Sequence, residues 1–262
     1  AASDEYKACF PSWAHAPIDS AEEKGLIDTE LACKNNLVNR AEGYQMITKG
    51  FNVWNEAAVT NFKDVPDDGW YFVAAATAQT LGWTAGDGKG NFMGANAMLR
   101  GQLAVAINAV LGLENVSADA TLAKYPDAAV LNGNLKYAKQ AVANLVEAGI
   151  MGKGSKLSAD QGATKAEVIV MLNATVDYAD TNDVSVMDVA AERLGVSADE
   201  LETALGNGEQ FVDGVATSEG FIAAVIAEEE EVAEEEVVTE EEVVTEEVVG
   251  TTTVPEIVGS AS

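Results

Sequence analysis

Histidine, cysteine and arginine are almost missing from this sequence, and each shortage closes off a class of chemistry. His15 is the one histidine, and Cys9 and Cys33 are the only cysteines. A zinc centre draws four ligands mainly from those residue types, so these three do not complete one. No cysteine in a nucleophilic setting accompanies His15, which removes the usual triads and leaves His15 as a structural or surface residue. Carboxylates abound without any one pair standing out, so no enzymatic activity is expected. Lysine and arginine together number 15 against 43 aspartates and glutamates, for a formal net charge of -28. A surface this acidic repels nucleic acid and anionic lipid headgroups, which excludes both as partners. Also lacking is any run of about eighteen apolar residues, so no membrane-spanning helix is expected.

What is present is a repeat. Asn39-Arg40-Ala41-Glu42, Leu99-Arg100-Gly101-Gln102 and Thr164-Lys165-Ala166-Glu167 each set a basic residue, a small residue and an acid or amide at a predicted helix start. Each follows an aromatic residue and a glycine at fixed spacing: Trp13 to Gly25, Trp70 to Gly82 and Tyr137 to Gly149, all twelve positions. An apolar residue (Leu26, Trp83, Ile150) comes directly after each glycine. The period makes the repeat the expected unit of folding, and no copy has enough apolar surface to stand alone.

The first copy is expected within residues 1–55, the second within 56–116 and the third within 117–180. In the first, Pro17 fits only the first turn of a helix, which therefore starts near Ala16 and ends near Gly25. Met46, Ile47 and Phe51 share a face of its second helix. In the second copy Trp70, Val73, Thr77 and Leu81 recur at helical spacing, as do Leu103, Ile107, Val110 and Leu111. Gly86-Asp87-Gly88-Lys89-Gly90 lacks the ending of a nucleotide loop and reads as a turn. In the third copy Tyr137, Ala141, Leu145 and Ala148 line one helix and Val168, Met171 and Leu172 the next. Residues 181–227 read as a small helical module, with a stop at Gly195, a capping box from Ser197 to Glu200 and a weaker helix over 221–226. Residues 228–262 are an acidic tail of glutamate and valine, expected to be extended or disordered.

The lead-in Phe62-Lys63-Asp64-Val65, the aromatic-to-glycine spacing, the turn Gly149-Ile150 and the Thr-Arg-Ala-Glu type motif together resemble the S-layer homology domain, over about the first 176 residues. The resemblance implies a mainly α fold in which three tandem repeats form a pseudo-threefold, three-pronged bundle near the N-terminal end of an exported bacterial surface protein. It implies that grooves between repeats hold an acidic cell-wall polysaccharide, often bearing pyruvate ketals, with peptidoglycan as the other candidate. The protein would then be secreted and held noncovalently at the cell wall or S-layer. The alternative is a structural subunit that self-assembles into a surface layer or filament through its tail.

Asn39 and Thr164 are good caps, and Glu42 and Glu167 three positions later complete capping boxes worth about 1 kcal/mol each. The cap does not explain the base, because a cation in the first helical turn opposes the macrodipole. Of three arginines in the chain, two are Arg40 and Arg100. A guanidinium beside free helix-start amides would hold a carboxylate, so Arg40, Arg100 and Lys165 are the candidate ligand contacts. Leu99, Gly101 and Gln102 depart from the pattern in the middle copy, and Lys165 loses bidentate hydrogen bonding in the third. Trp13, Trp70 and Tyr137 read first as core packing and second as sugar platforms.

The sequence opens Ala1-Ala2-Ser3, as after removal of a leader or as in a trimmed chain. In an exported protein Cys9 and Cys33 would pair as a disulfide closing the first repeat, whereas in a cytosolic one they would stay thiols. No cofactor is expected. Calcium is held open only for Asp177, Asp180 and Asp183, whose spacing is not that of the helix-loop-helix calcium motif.

Overall fold

The computed structural model describes residues 2–27, 33–212 and 215–217. They are mainly helical: α1 (Asp4–Lys7), α2 (His15–Glu23), α3 (Arg40–Gly50), α4 (Phe72–Thr80), α5 (Arg100–Leu111), α6 (Ala118–Leu122), α7 (Lys139–Glu147), α8 (Lys165–Thr181), α9 (Val186–Leu194) and α10 (Ala198–Asn207). A two-stranded antiparallel ribbon pairs β1 (Gln210–Val212) with β2 (Val215–Thr217). The helix expected over 221–226 and the tail over 228–262 lie outside the described residues.

Local chemistry sets the helix ends. Asn39, Thr164 and Ser197 each accept from the amide three residues on, and Glu42, Glu167 and Glu200 return the bond to the cap's own amide. At α5 only the return half exists, from Leu99 N to Gln102 Oε1, because leucine has no acceptor. Gly25, Gly82 and Gly149 all take φ near +70°. The apolar residue after each then donates back to a carbonyl of the last turn: Leu26 to Ala21, Trp83 to Ala78 and Ile150 to Leu145. The repeated glycine–apolar pair is thus a helix stop in which only glycine is unstrained.

The repeated motifs meet in a ring. Val38 N donates to Ala163 O, Ala163 N to Met98 O and Met98 N to Val38 O, at 2.9, 2.8 and 2.9 Å. One step further out, Arg40 N bonds Asn96 O, Arg100 N bonds Gln161 O and Lys165 N bonds Asn36 O, each at 2.9 Å. Around this ring α4 packs on α3, α7 on α5 and α2 on α8. These pairs straddle the sequence copies, so the helices of each copy pack mainly on those of its neighbours. The helix before each motif rests on the motif helix of another copy, and α2 closes the circle on α8. Ala2, Tyr6, Phe10, Ala14, Ile18 and Ala21 form a separate apolar cluster with Ala166 and Ile169 at that seam. Most other buried apolar side chains, from Val38 to Leu205, belong to one continuous core.

The loops ahead of the motifs are tied by aspartates. Asp64, from the lead-in of the second copy, accepts from the amides of Phe92 and Met93 at 2.6 and 2.8 Å. Asp127 accepts from Leu157 and Ser158 at 3.0 and 2.8 Å. Burial pushes the Asp127 carboxyl up, but the amides of Ser158 and Leu157 and the charge of Lys156 hold it below the usual carboxylate value. Met93 and Ser158 stand five residues ahead of the ring residues Met98 and Ala163, and both have positive φ. In the first copy the residue five ahead of Val38 is Cys33, and it is joined to Cys9 by a disulfide. A covalent tie stands where the other copies use a carboxylate.

Two results are expected here. Asp127→Ala should cost about 2 kcal/mol, since two amides lose a charged acceptor, and denaturant unfolding reads the loss directly. An unchanged midpoint would show that water replaces the carboxylate at no cost. Replacing Cys33 by serine should cost about 3 kcal/mol in the same assay, because the bridge spans 24 residues of chain. Stability equal to that of the parent would mean that the seam cluster alone sets the N-terminal segment.

Candidate functional site

The aromatic residues singled out by spacing are not core. Trp13, Trp70 and Tyr137 are 56, 55 and 59% exposed. Each stands just ahead of its helix: Trp13 in the 3-10 turn Ser12–Ala14, Tyr137 in the turn Lys136–Ala138, and Trp70 two residues before α4. Helical spacing counted from them therefore includes a residue that is outside the helix, whose side chain is not held to the buried face. The aromatic core is filled instead by Tyr44, Phe62, Trp83, Phe92 and Tyr125 and, at the seam, by Tyr6 and Phe10.

Two grooves collect the predicted residues. Groove A, of about 570 Å³, brings together Arg40 of the first motif, Gln102 of the second, Tyr137 of the third copy and the wall Gly82-Trp83-Thr84. Groove B, of about 530 Å³, brings together Arg100 of the second motif, Glu167 of the third, Trp13 of the first copy and the wall Ile150-Met151-Gly152. One rule generates both: a motif base, the turn after the next glycine, the last residue of the next motif and the aromatic of the copy after that. Trp70 and Lys165 line neither groove. Asn39 and Thr164 serve as caps, and Glu42 is likewise turned back on its own helix start.

The arginines are shared between groove and scaffold. Arg40 Nε donates to Phe92 O at 2.9 Å and Nη2 to Thr84 Oγ1 at 3.3 Å, while its guanidinium lies 5.6 and 5.5 Å from the Tyr44 and Phe92 rings. Arg100 Nε donates to Leu157 O at 3.0 Å, and Nη1 pairs with Glu167 Oε1 at 2.8 Å. The helix-start amides beside them are not free. Arg40 and Ala41 donate to Asn96 O and Gly94 O, Arg100 and Gly101 to Gln161 O and Ala159 O, and Lys165 and Ala166 to Asn36 O and Asn35 Oδ1. At all three motifs the first two helix-start amides are thus occupied by the ring and its flanking loops, so the expected pairing of guanidinium with free amides is not available from those donors. The side chains are then the main groups that would meet an anion.

Those side chains differ between the grooves. Groove B adds Lys153 and Lys156 to Arg100, against the single carboxylate of Glu167. Groove A sets Arg40 against Asp87. Sequence reasoning missed both lysines; the signal was their place between a glycine turn and a motif in a chain with so few cations. It also missed Tyr44, whose hydroxyl donates to Trp83 O at 3.2 Å and whose phenol is pushed up by burial. Asp87 accepts from the Asn91 side chain and from the amides of Asn91 and Lys89, which lower its pKa to about 2. A depressed carboxyl contributes order above its unfolded value and loses it as pH falls through the folded one. The turn at groove A should thus persist from neutral pH down to about 4 and come apart only toward about 2. A carboxyl titration by NMR that gives Asp87 an ordinary value would contradict the turn's hydrogen bonding.

Among the described residues no group of three His, Cys, Asp or Glu side chains is placed to hold a metal ion. Asp177 instead pairs with Lys24, linking α8 to the end of α2. His15 Nε2 lies 3.1 Å from Phe10 O, a bond that holds the turn into α2. No helix among the described residues is long and apolar enough to cross a membrane.

With this geometry in place, comparison with known proteins gives one family. The model of the S-layer homology domain matches residues 61–104, from the Asp64 lead-in through the second motif to the first turn of α5. No curated protein matches the chain.

Proposed function

We propose that this protein attaches noncovalently to the bacterial cell wall by holding a wall-linked polysaccharide in grooves A and B. S-layer homology domains are anchoring modules for cell-surface polysaccharide rather than catalysts, and one such match contributes Met98 to the ring. The observation that carries the reading is the recurrence of an exposed aromatic ring opposite a motif arginine in two grooves assembled from different copies. A flat apolar face with a cation across a cleft suits a sugar that carries a carboxylate. In a chain of net charge -28 the lysines of groove B favour it for the acidic sugar, and groove A suits a neutral one. The ring of hydrogen bonds supports three repeats about a pseudo-threefold axis. The same permutation would bring Lys165, Leu26, Glu42 and Trp70 to a third groove.

The test is cosedimentation of the full chain with isolated walls, before and after chemical removal of the wall-linked polysaccharide. The full chain is used because α9 and α10 pack into the main core. Binding that disappears on stripping supports the proposal. Binding that survives points to peptidoglycan, and sedimentation of the protein without walls points to self-assembly.

A further inference from the structure

Arg193 belongs to none of the three motifs, yet its guanidinium holds the wall of groove A. Nη1 donates to Leu81 O and Gly82 O, each at 3.3 Å, and Nη2 donates to Ala109 O. Gly82 and Ala109 both line groove A. Leu81 and Gly82 end α4, where carbonyls lack helical partners and the dipole favours a cation. Among the described residues the Gly149 turn beside groove B has no such donor.

The helix that carries Arg193 is fitted closely. A Cβ on Gly112, at the end of α5, would lie 2.7 Å from Val189 of α9. A Cβ on Gly208, at the end of α10, would lie 2.7 Å from Ala57 O. Ala190, Ala191, Leu201 and Leu205 complete the contact inside the main core. With the Val189 side chain this close to Gly112, α9 is packed tightly against the end of α5, and from that seat its arginine reaches the three carbonyls.

We propose that α9 and α10 form a clasp that sets groove A, with Arg193 as its positioning residue, so that seating of the clasp and occupation of the groove favour each other. The coupling to a ligand rests on the glycan reading of groove A; the effect on the groove's shape does not. Coupling between two sites is reciprocal, so a ligand in groove A must also steady α9, which it does not touch.

Hydrogen exchange of the full chain tests this, using the parent, Arg193→Met and Arg193→Lys, each with and without isolated wall polysaccharide. Without ligand, Arg193→Met should speed exchange at residues 82–86 about tenfold and leave residues 149–154 unchanged, and Arg193→Lys should restore part of the protection. With ligand, the parent should slow in residues 186–194, and the Met variant should not. Equal exchange at 82–86 in parent and Met variant overturns the clasp. Protection of groove A without any response in α9 overturns the coupling and leaves the glycan reading intact. A parent whose groove amides the polysaccharide leaves unprotected overturns the glycan reading together with the coupling. The ligand-free comparison distinguishes that result from a failed clasp.

Discussion

The double variant Trp13→Ala/Tyr137→Ala is expected to bind walls about a hundredfold more weakly than the parent while unfolding at nearly the same denaturant concentration. Each ring is more than half exposed and stands before its helix, so its loss opens no core cavity and should cost under about 0.5 kcal/mol of stability. Each ring also forms one side of a groove. Loss of about 1.4 kcal/mol of stacking per groove is tenfold in affinity, and two grooves on one polymer chain multiply their losses. The arginines make a poorer probe. Arg40→Ala would remove a cation–π contact with Tyr44 and Phe92 and a bond to the Phe92 carbonyl, and Arg100→Ala would remove the bond to the Leu157 carbonyl and the ion-pair partner of Glu167 Oε1, so both would lower stability along with binding. Sedimentation of the double aromatic variant equal to the parent would remove these grooves from the function. Trp70→Ala, equally exposed, is the internal comparison: its effect on binding reports whether the third groove is used.

Ile18→Asp should prevent cooperative folding altogether. Ile18 is fully buried at the seam, where α2 meets Ala166 and Ile169 of α8. A carboxylate there has no partner, and burying it costs more than the about 5–15 kcal/mol that holds a domain together. Ile18→Val, by contrast, should cost only about 1 kcal/mol. The pair is read by circular dichroism across a denaturant series. A folded aspartate variant with a parent-like midpoint would mean that α2 is not needed to close the ring.

Much of the local structure was open to reading because its causes are local. A capping box needs two residues three apart, and Asn39–Glu42, Thr164–Glu167 and Ser197–Glu200 all form as their residue types require. The stop at Gly195 and the buried stripe Leu103, Ile107, Val110 and Leu111 follow equally from neighbours along the chain. The grooves did not, since Arg40 faces Tyr137 and Trp13 faces Arg100 across about a hundred positions of sequence. Nor did the pairing of α2 with α8, because an amphipathic stripe states that a helix has a partner and is silent on which one. The role of the motif amides was misread for the same reason. Spacing shows that a helix begins at Arg40, but only the ring shows that Asn96 and Gly94 already occupy its first donors.

The closing of the ring by α2 has a consequence for the order in which the molecule is made. The pairs α3–α4 and α5–α7 join segments near in sequence, so their loops close early and with small entropy loss. The seam joins Ile18 to Ile169, a separation that spans most of the described chain, and contacts of such range form late and slow the overall rate. Groove A can be complete before that event, whereas groove B cannot, because Trp13 arrives with the N-terminal segment. A chain emerging N-terminus first would hold α2 without its α8 partner until α8 is made. An assembled groove B therefore reports that the circle has closed.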